Sequence, residues 1–137
     1  MNGSSSLTIT SAQNGSVLEF RGELPRGLSG YNGAYFGVSL RVDGLSARAR
    51  VYDIHLDHWS LFFRDLADNW RGWSGARSHE SLEHHLRIEA TADSVGHIRL
   101  LVMLRDDPNH TWKAEGSVFL EAGQLEELAG RAMAYFG

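Results

Sequence analysis

Cysteine is absent from the 137 residues. That excludes disulfide scaffolds, thiolate zinc sites and cysteine nucleophiles. Lysine is nearly absent too: of thirteen basic residues only Lys113 is not arginine. The bias fits the coding preference of a GC-rich bacterial genome, and recognition of anions by guanidinium forks is the alternative source. No apolar run approaches the ~20 residues of a membrane span, and the polar start from Met1 to Ser6 has no secretory h-region. These absences read as a cytoplasmic protein with no membrane partner. Also missing are a His-Glu-x-x-His string, a Gly-x-Ser-x-Gly elbow, a Walker loop and a Gly-x-Gly-x-x-Gly turn, and with them the chemistries those motifs carry. No internal repeat or low-complexity tract is visible.

Apolar residues make up 42% of the chain, enough for a real core rather than disorder. The length suits one domain. The reading is a flexible start over 1–6 and a single α+β domain over 7–137. Charge is uneven. Residues 1–54 carry five arginines and four acids, residues 55–79 balance at three each, and residues 80–137 carry five bases against ten acids. An acidic C-terminal half argues against nucleic acid as a partner and is compatible with a basic protein partner.

Leu7 to Thr10 and Val17 to Arg21 are β-type runs around the turn signal Asn14-Gly15. Pro25, Gly27, Gly30 and Gly33 mark a loop. Tyr35 to Val42 is strand-like, Asp43-Gly44 signals a hairpin, and Leu45 to Tyr52 alternates with Arg48 and Arg50 on the outer face. Between Leu56 and Gly75 lie three of the four tryptophans and two of the six phenylalanines. Trp59, Phe62, Phe63, Leu66 and Trp70 form one helical stripe, so a helix is expected over about 57–70, with Asp57 as its cap. Gly72 and Gly75 end it.

Leu82, His84, Leu86, Ile88 and Ala90 alternate as an inward strand face, which puts His84 in the core and His85 toward solvent. Ile98 to Leu104 forms the next strand after a turn at Asp93 to Gly96. A turn at Asp106 to Asn109 leads to a third, with Trp112, Ala114, Val118 and Leu120 inside. Gly116 is a bulge or a close-packing point. A closing helix over about 123–136 buries Leu125, Leu128, Ala129, Ala132, Met133 and Phe136. The expected fold is therefore α+β: a largely antiparallel sheet of six to seven strands, one central helix and one C-terminal helix, both packed on one sheet face.

Two constellations carry chemistry. In the stretch from Asp53 to His58, a strand continuing through Asp57 would place Asp53, His55 and Asp57 on one face. Two carboxylates and an imidazole suit acid–base work or a divalent ion. The alternative is that the strand ends near Ile54, Asp57 caps the helix and His58 is solvated; no metal and no cofactor is expected. The second is the glycine-broken loop after the helix. Arg71, Trp73, Arg77 and His79 there are the candidate partner-binding residues, because Trp and Arg most often dominate protein interfaces.

The string Trp70, Arg71, Gly72, Trp73, followed by Glu80 to Glu83, Gly96 to Ile98, Trp112 and Glu121 to Leu125, resembles an uncharacterised bacterial domain family common in actinobacteria. The resemblance runs over roughly 35–137 and departs from the family at His79, where tryptophan is usual. It supplies no catalytic residues. More distantly, the β-rich front, aromatic helix, meander and closing helix are similar to immunity proteins against wall-associated contact-dependent toxins. That resemblance implies a cytoplasmic, non-enzymatic protein that binds a toxin domain and blocks it. The alternative function is a small enzyme or small-ligand binder, with Asp53, His55 and Asp57 in a pocket between sheet and helix.

Overall fold

The computed structural model describes residues 5–22, 33–106 and 109–137. Met1 to Ser4, the loop through Pro25, Gly27 and Gly30, and the Asp107-Pro108 part of the expected turn lie outside the described residues. Of the residues read as a flexible start, Ser6 opens the first strand and Ser5 adjoins it. The Ser5 carbonyl accepts from the Gly22 N–H at 3.0 Å, and Ser6 pairs with Arg21.

The first four strands are β1 (Ser6–Thr10), β2 (Val17–Arg21), β3 (Ala34–Val42) and β4 (Leu45–Asp53). They pair antiparallel in chain order. The two expected turns are present. Gly15 and Gly44 adopt positive φ, and Val42 opposite Leu45 closes the Asp43-Gly44 hairpin, a conformation glycine enters without steric cost. Helix α1 (Asp57–Asp68) follows. The second sheet is β5 (Arg77–Glu80), β6 (Leu86–Ala92), β7 (His97–Arg105) and β8 (Lys113–Glu121), again antiparallel in chain order. A 3-10 turn (Ala122–Gln124) leads into α2 (Leu125–Phe136).

The α+β class is as expected, but the single sheet of six to seven strands is replaced by two sheets of four. Two physical reasons account for this. Arg77–Glu80 is a polar edge strand with no apolar residue to announce it. And α1 separates β4 from β5, so the second half of the chain builds its own ladder. The sheets face each other: a Cβ on Gly116 of β8 would sit 2.9 Å from Val42 Cγ1 and 3.2 Å from Leu40 Cδ2 on β3. Gly116 is thus the close-packing point. At one side the sheets are joined, where the Ala12 N–H donates to the Phe119 carbonyl at 2.7 Å and the Phe119 N–H to Ser11 Oγ at 3.1 Å.

One hydrophobic cluster spans both sheets and both helices. It includes Phe20, Phe36 and Leu40 of the first sheet, Leu86, Leu100 and Val118 of the second, Trp59, Phe63 and Leu66 of α1, and Leu128, Tyr135 and Phe136 of α2. Burying each such side chain is worth ~1.5–3 kcal/mol. The helices lie against each other: Ser60 Oγ donates to the Ala132 carbonyl at 3.3 Å, and Arg64 bonds Glu126 across the gap. Helix α2 is tied to the first sheet by Arg131 donating to the Thr8 carbonyl at 2.7 Å and Tyr135 Oη to the Gly22 carbonyl at 3.1 Å. Among the described residues no helix is long and apolar enough to cross a membrane.

Several local expectations are corrected. Helix α1 stops at Asp68, where the Asn69 side chain donates to the Asp65 carbonyl at 2.8 Å, so Trp70 leaves the stripe and lies 52% exposed. Leu56 occupies the N-cap position without a capping side chain, and Asp57 is instead the acid of the first turn. His84 is exposed and His85 buried, the reverse of the strand reading. Strand β6 begins only at Leu86, and the preceding turn, with Ser81 bonded to Leu86 and His84 at φ 68°, breaks the alternation. Trp112 is exposed ahead of β8, its N–H held by Asp106 at 2.9 Å in a loop rather than a ladder. Met133 is also exposed, and Tyr135 takes the buried place on α2.

Candidate functional site

The two sequence-identified constellations lie at opposite ends of α1. At its start, β4 ends on Asp53, whose carboxylate is 6% exposed. Asp53 Oδ2 accepts from Trp59 Nε1 at 2.8 Å and Oδ1 from the Ile54 N–H at 2.9 Å. A buried carboxyl is tolerated where donors satisfy it, and this one anchors the helix to the strand. The chain then turns at once. The His58 N–H donates to the His55 carbonyl at 3.0 Å and the Trp59 N–H to the Leu56 carbonyl at 3.1 Å. The strand therefore does not run on through Asp57, and Asp53 is set apart inside.

That turn throws His55, Asp57 and His58 together on the surface. One potential ligand atom from each lies within 4.8 Å of the other two, and all three residues are exposed. The imidazoles of His55 and His58 are stacked, centroids 4.7 Å apart and 23° from parallel. His79 on β5 stands beside them. Its ring meets the Trp59 indole edge-on at 4.4 Å and lies 6.3 Å from His58. Burial pushes the His79 pKa below the ordinary histidine value; Asp53 pulls it up and His58 adds to the lowering, so the neutral ring is favoured. From the sequence alone, His58 reads as solvated and His79 as part of the loop. Their meeting depends on β5 pairing back beside α1, which no local signal announces.

At the other end, Trp70 and Arg71 emerge together, the Arg71 guanidinium 4.9 Å over the indole centroid. Gly72, at φ 116°, and Gly75, at φ 69°, reverse the chain. Trp73 packs half-buried against the core, with Nε1 donating to the Ala90 carbonyl at 3.0 Å. Arg77 lies 5.6 Å from the Trp73 ring centroid and donates to Asp65 Oδ2 at 2.6 Å. Arg77 and His79 are two residues apart on one strand and so share its face. Both point to α1, one reaching Asp65 and the other Trp59 and Phe62. The loop is thereby fastened from within by Trp73 and Arg77, while Arg71 stands outside with Trp70. The sequence reading placed Trp70 in the core and so missed it as a surface residue.

Of the remaining exposed histidines, His110 meets the buried His85 ring edge-on at 4.8 Å, and the other two face carboxylates. His84 Nδ1 is 3.1 Å from Glu80, which also faces Arg87 and Arg105; His97 Nδ1 is 2.9 Å from Asp93. The Asp93 carboxyl is held below the usual carboxylate range by the backbone N–H groups of His97 and Val95. On the outer face of the first sheet, Arg48 and Arg21 border a shallow depression of about 250 Å³ beside Gly37, and Arg50 lies 3.6 Å from the Tyr35 ring centroid.

Over residues 9–137 the chain matches the family described as Family of unknown function (DUF6228), and it belongs to that family. No curated protein and no solved structure matches it.

Proposed function

We propose that this member of the family is a small cytoplasmic, non-enzymatic binding protein of the immunity type, which occupies a protein partner such as a toxin domain and blocks it by steric occlusion. The contact surface is the segment from Trp70 to His79. The observation that carries the reading is the exposed Trp70 indole under the Arg71 guanidinium. An apolar ring and a cation held together suit an anchor that gains strength once a partner removes water. Trp73, Arg77 and His79 contribute rigidity as well as their outer edges. Their contacts with Ala90, Asp65 and the Trp59 ring pre-order the loop, which lowers the entropy lost on association. The acids of residues 80–137 add attraction at long range for a basic partner surface, an effect on encounter rate more than on affinity.

The test pairs the purified protein with the products of the genes beside its own. Binding is measured by titration calorimetry for wild type and for Trp70→Ala with Arg71→Ala, after circular dichroism confirms the fold. A loss of about tenfold or more in affinity is expected. Equal affinity in the double variant, with His55→Ala or Asp57→Ala abolishing an activity instead, would move the reading to an enzyme or small-ligand binder centred on the start of α1.

A further inference from the structure

We propose that His55, Asp57 and His58 form a surface site for an imidazole-preferring divalent ion, with zinc as the representative. The inference is independent of the partner-binding reading, since it uses the other end of α1.

Donor chemistry comes first. Two imidazole nitrogens and one carboxylate oxygen are a ligand set of the zinc, nickel and copper class and a poor one for magnesium or calcium, which prefer all-oxygen shells. Availability comes second. His84 and His97 already face Glu80 and Asp93. By contrast, among the described residues no side-chain hydrogen bond or ion pair engages His55, Asp57 or His58; the imidazoles make only ring contacts. Geometry comes third. The two rings are nearly parallel at 4.7 Å, so their nitrogens can point the same way. Donors to one zinc ion lie ~3.3 Å apart in a tetrahedral shell. The three ligand atoms here begin within 4.8 Å of one another. Closing that gap requires only rotation of exposed side chains on a backbone already fixed by the turn into α1.

The helix start carries a partial positive charge that opposes a cation. The Asp57 carboxylate, a ligand itself, lies in that first turn and opposes the helix field there. With three protein ligands the ion keeps a position for water, as in open rather than closed sites. Asp53 is no ligand: its two oxygens are committed to Trp59 and Ile54. It fixes the helix start on which the ligands stand.

The experiment uses tag-free full-length protein stripped by a chelator and titrated with zinc chloride alone. Wild type should take up one equivalent, and His55→Ala and His58→Ala should each weaken binding by about tenfold or more. Asp57→Asn should weaken it less, and His97→Ala should leave it unchanged. All four residues are exposed, so circular dichroism should report a native fold. In a parallel NMR titration, the histidine ring resonances that move should be those of His55 and His58. No uptake by wild type, wild-type binding by the His55→Ala/His58→Ala double variant, or movement confined to other histidines would overturn the assignment.

Discussion

The two ends of α1 carry opposite kinds of surface on one apolar body. The start presents imidazoles and a carboxylate, borderline and hard donors. The end presents an indole and a guanidinium, groups that recognise a surface by area and charge. Between them Trp59, Phe63 and Leu66 are buried in the core. The difference teaches where function can sit on such a helix. The stripe that makes it fold is unavailable to solvent, so chemistry is displaced to the residues where the chain enters and leaves. Both exits are fixed by a bond back to β-structure, Trp59 to Asp53 at one end and Trp73 to Ala90 at the other.

The largest effect should come from breaking what the two ends share. Phe63→Ala removes a fully enclosed ring from the core and should cost ~3–5 kcal/mol, read as a fall in the urea midpoint, with both ends lost together. An unchanged midpoint would show that the ring is not part of the core. The next effect falls on one end alone. Asp53→Ala leaves the buried Trp59 Nε1 and the Ile54 N–H without their acceptor and should cost ~1–3 kcal/mol. The same variant, folded at low temperature, should change zinc affinity far less than His58→Ala does. If it abolishes zinc uptake while folded, Asp53 belongs to the ligand set after all.

The middle of α1 was legible and its ends were not, for a physical reason. Trp59, Phe62, Phe63 and Leu66 repeat with helical spacing and are bulky enough that only burial suits them. The helix end rests on the Asn69 side chain, which donates to the Asp65 carbonyl and carboxylate, so Trp70, in phase with the stripe, is exposed nonetheless. The alternation of β6 through β8 was equally legible until a residue of positive φ intervened: at His84 the phase slips, and His85 goes inside. The strand β5 has four polar residues, and its place beside α1 comes from pairing with β6 and from Asp65 and Trp59, partners no local pattern reveals. The candidate site follows suit. Asp53, His55, Asp57 and His58 stood out as a cluster, but which of them meet was decided by where β4 ends.

A third prediction separates the two tryptophans of the loop. Trp73→Ala removes a half-buried ring and its bond to Ala90, and should cost ~1–3 kcal/mol. Trp70→Ala should change the melting temperature less, because the residue is 52% exposed and makes no core contact of the Trp73 kind, and should act on partner binding instead. Equal destabilisation by both would mean that Trp70 is part of the core and that the contrast between the ends of α1 is false.

The smallest effect should come from Asp65→Asn, which releases Arg77 from its 2.6 Å bond. Both side chains are partly exposed, 35% for Arg77 and 49% for Asp65, so the pair gains little Coulomb energy and holds a long arginine still to do so. A loss of ~0.2–1 kcal/mol is expected. It should shrink in high salt, since the charges are open to screening. The pair's second role is positional: it fastens β5 to α1 and keeps the loop in place for Arg71 and Trp70. Partner affinity should therefore fall by more than stability does, and that excess should persist in high salt because it arises from loop ordering rather than charge. If affinity and stability fall in step and both recover with salt, Arg77 is an ordinary surface ion and the loop is not pre-ordered through it.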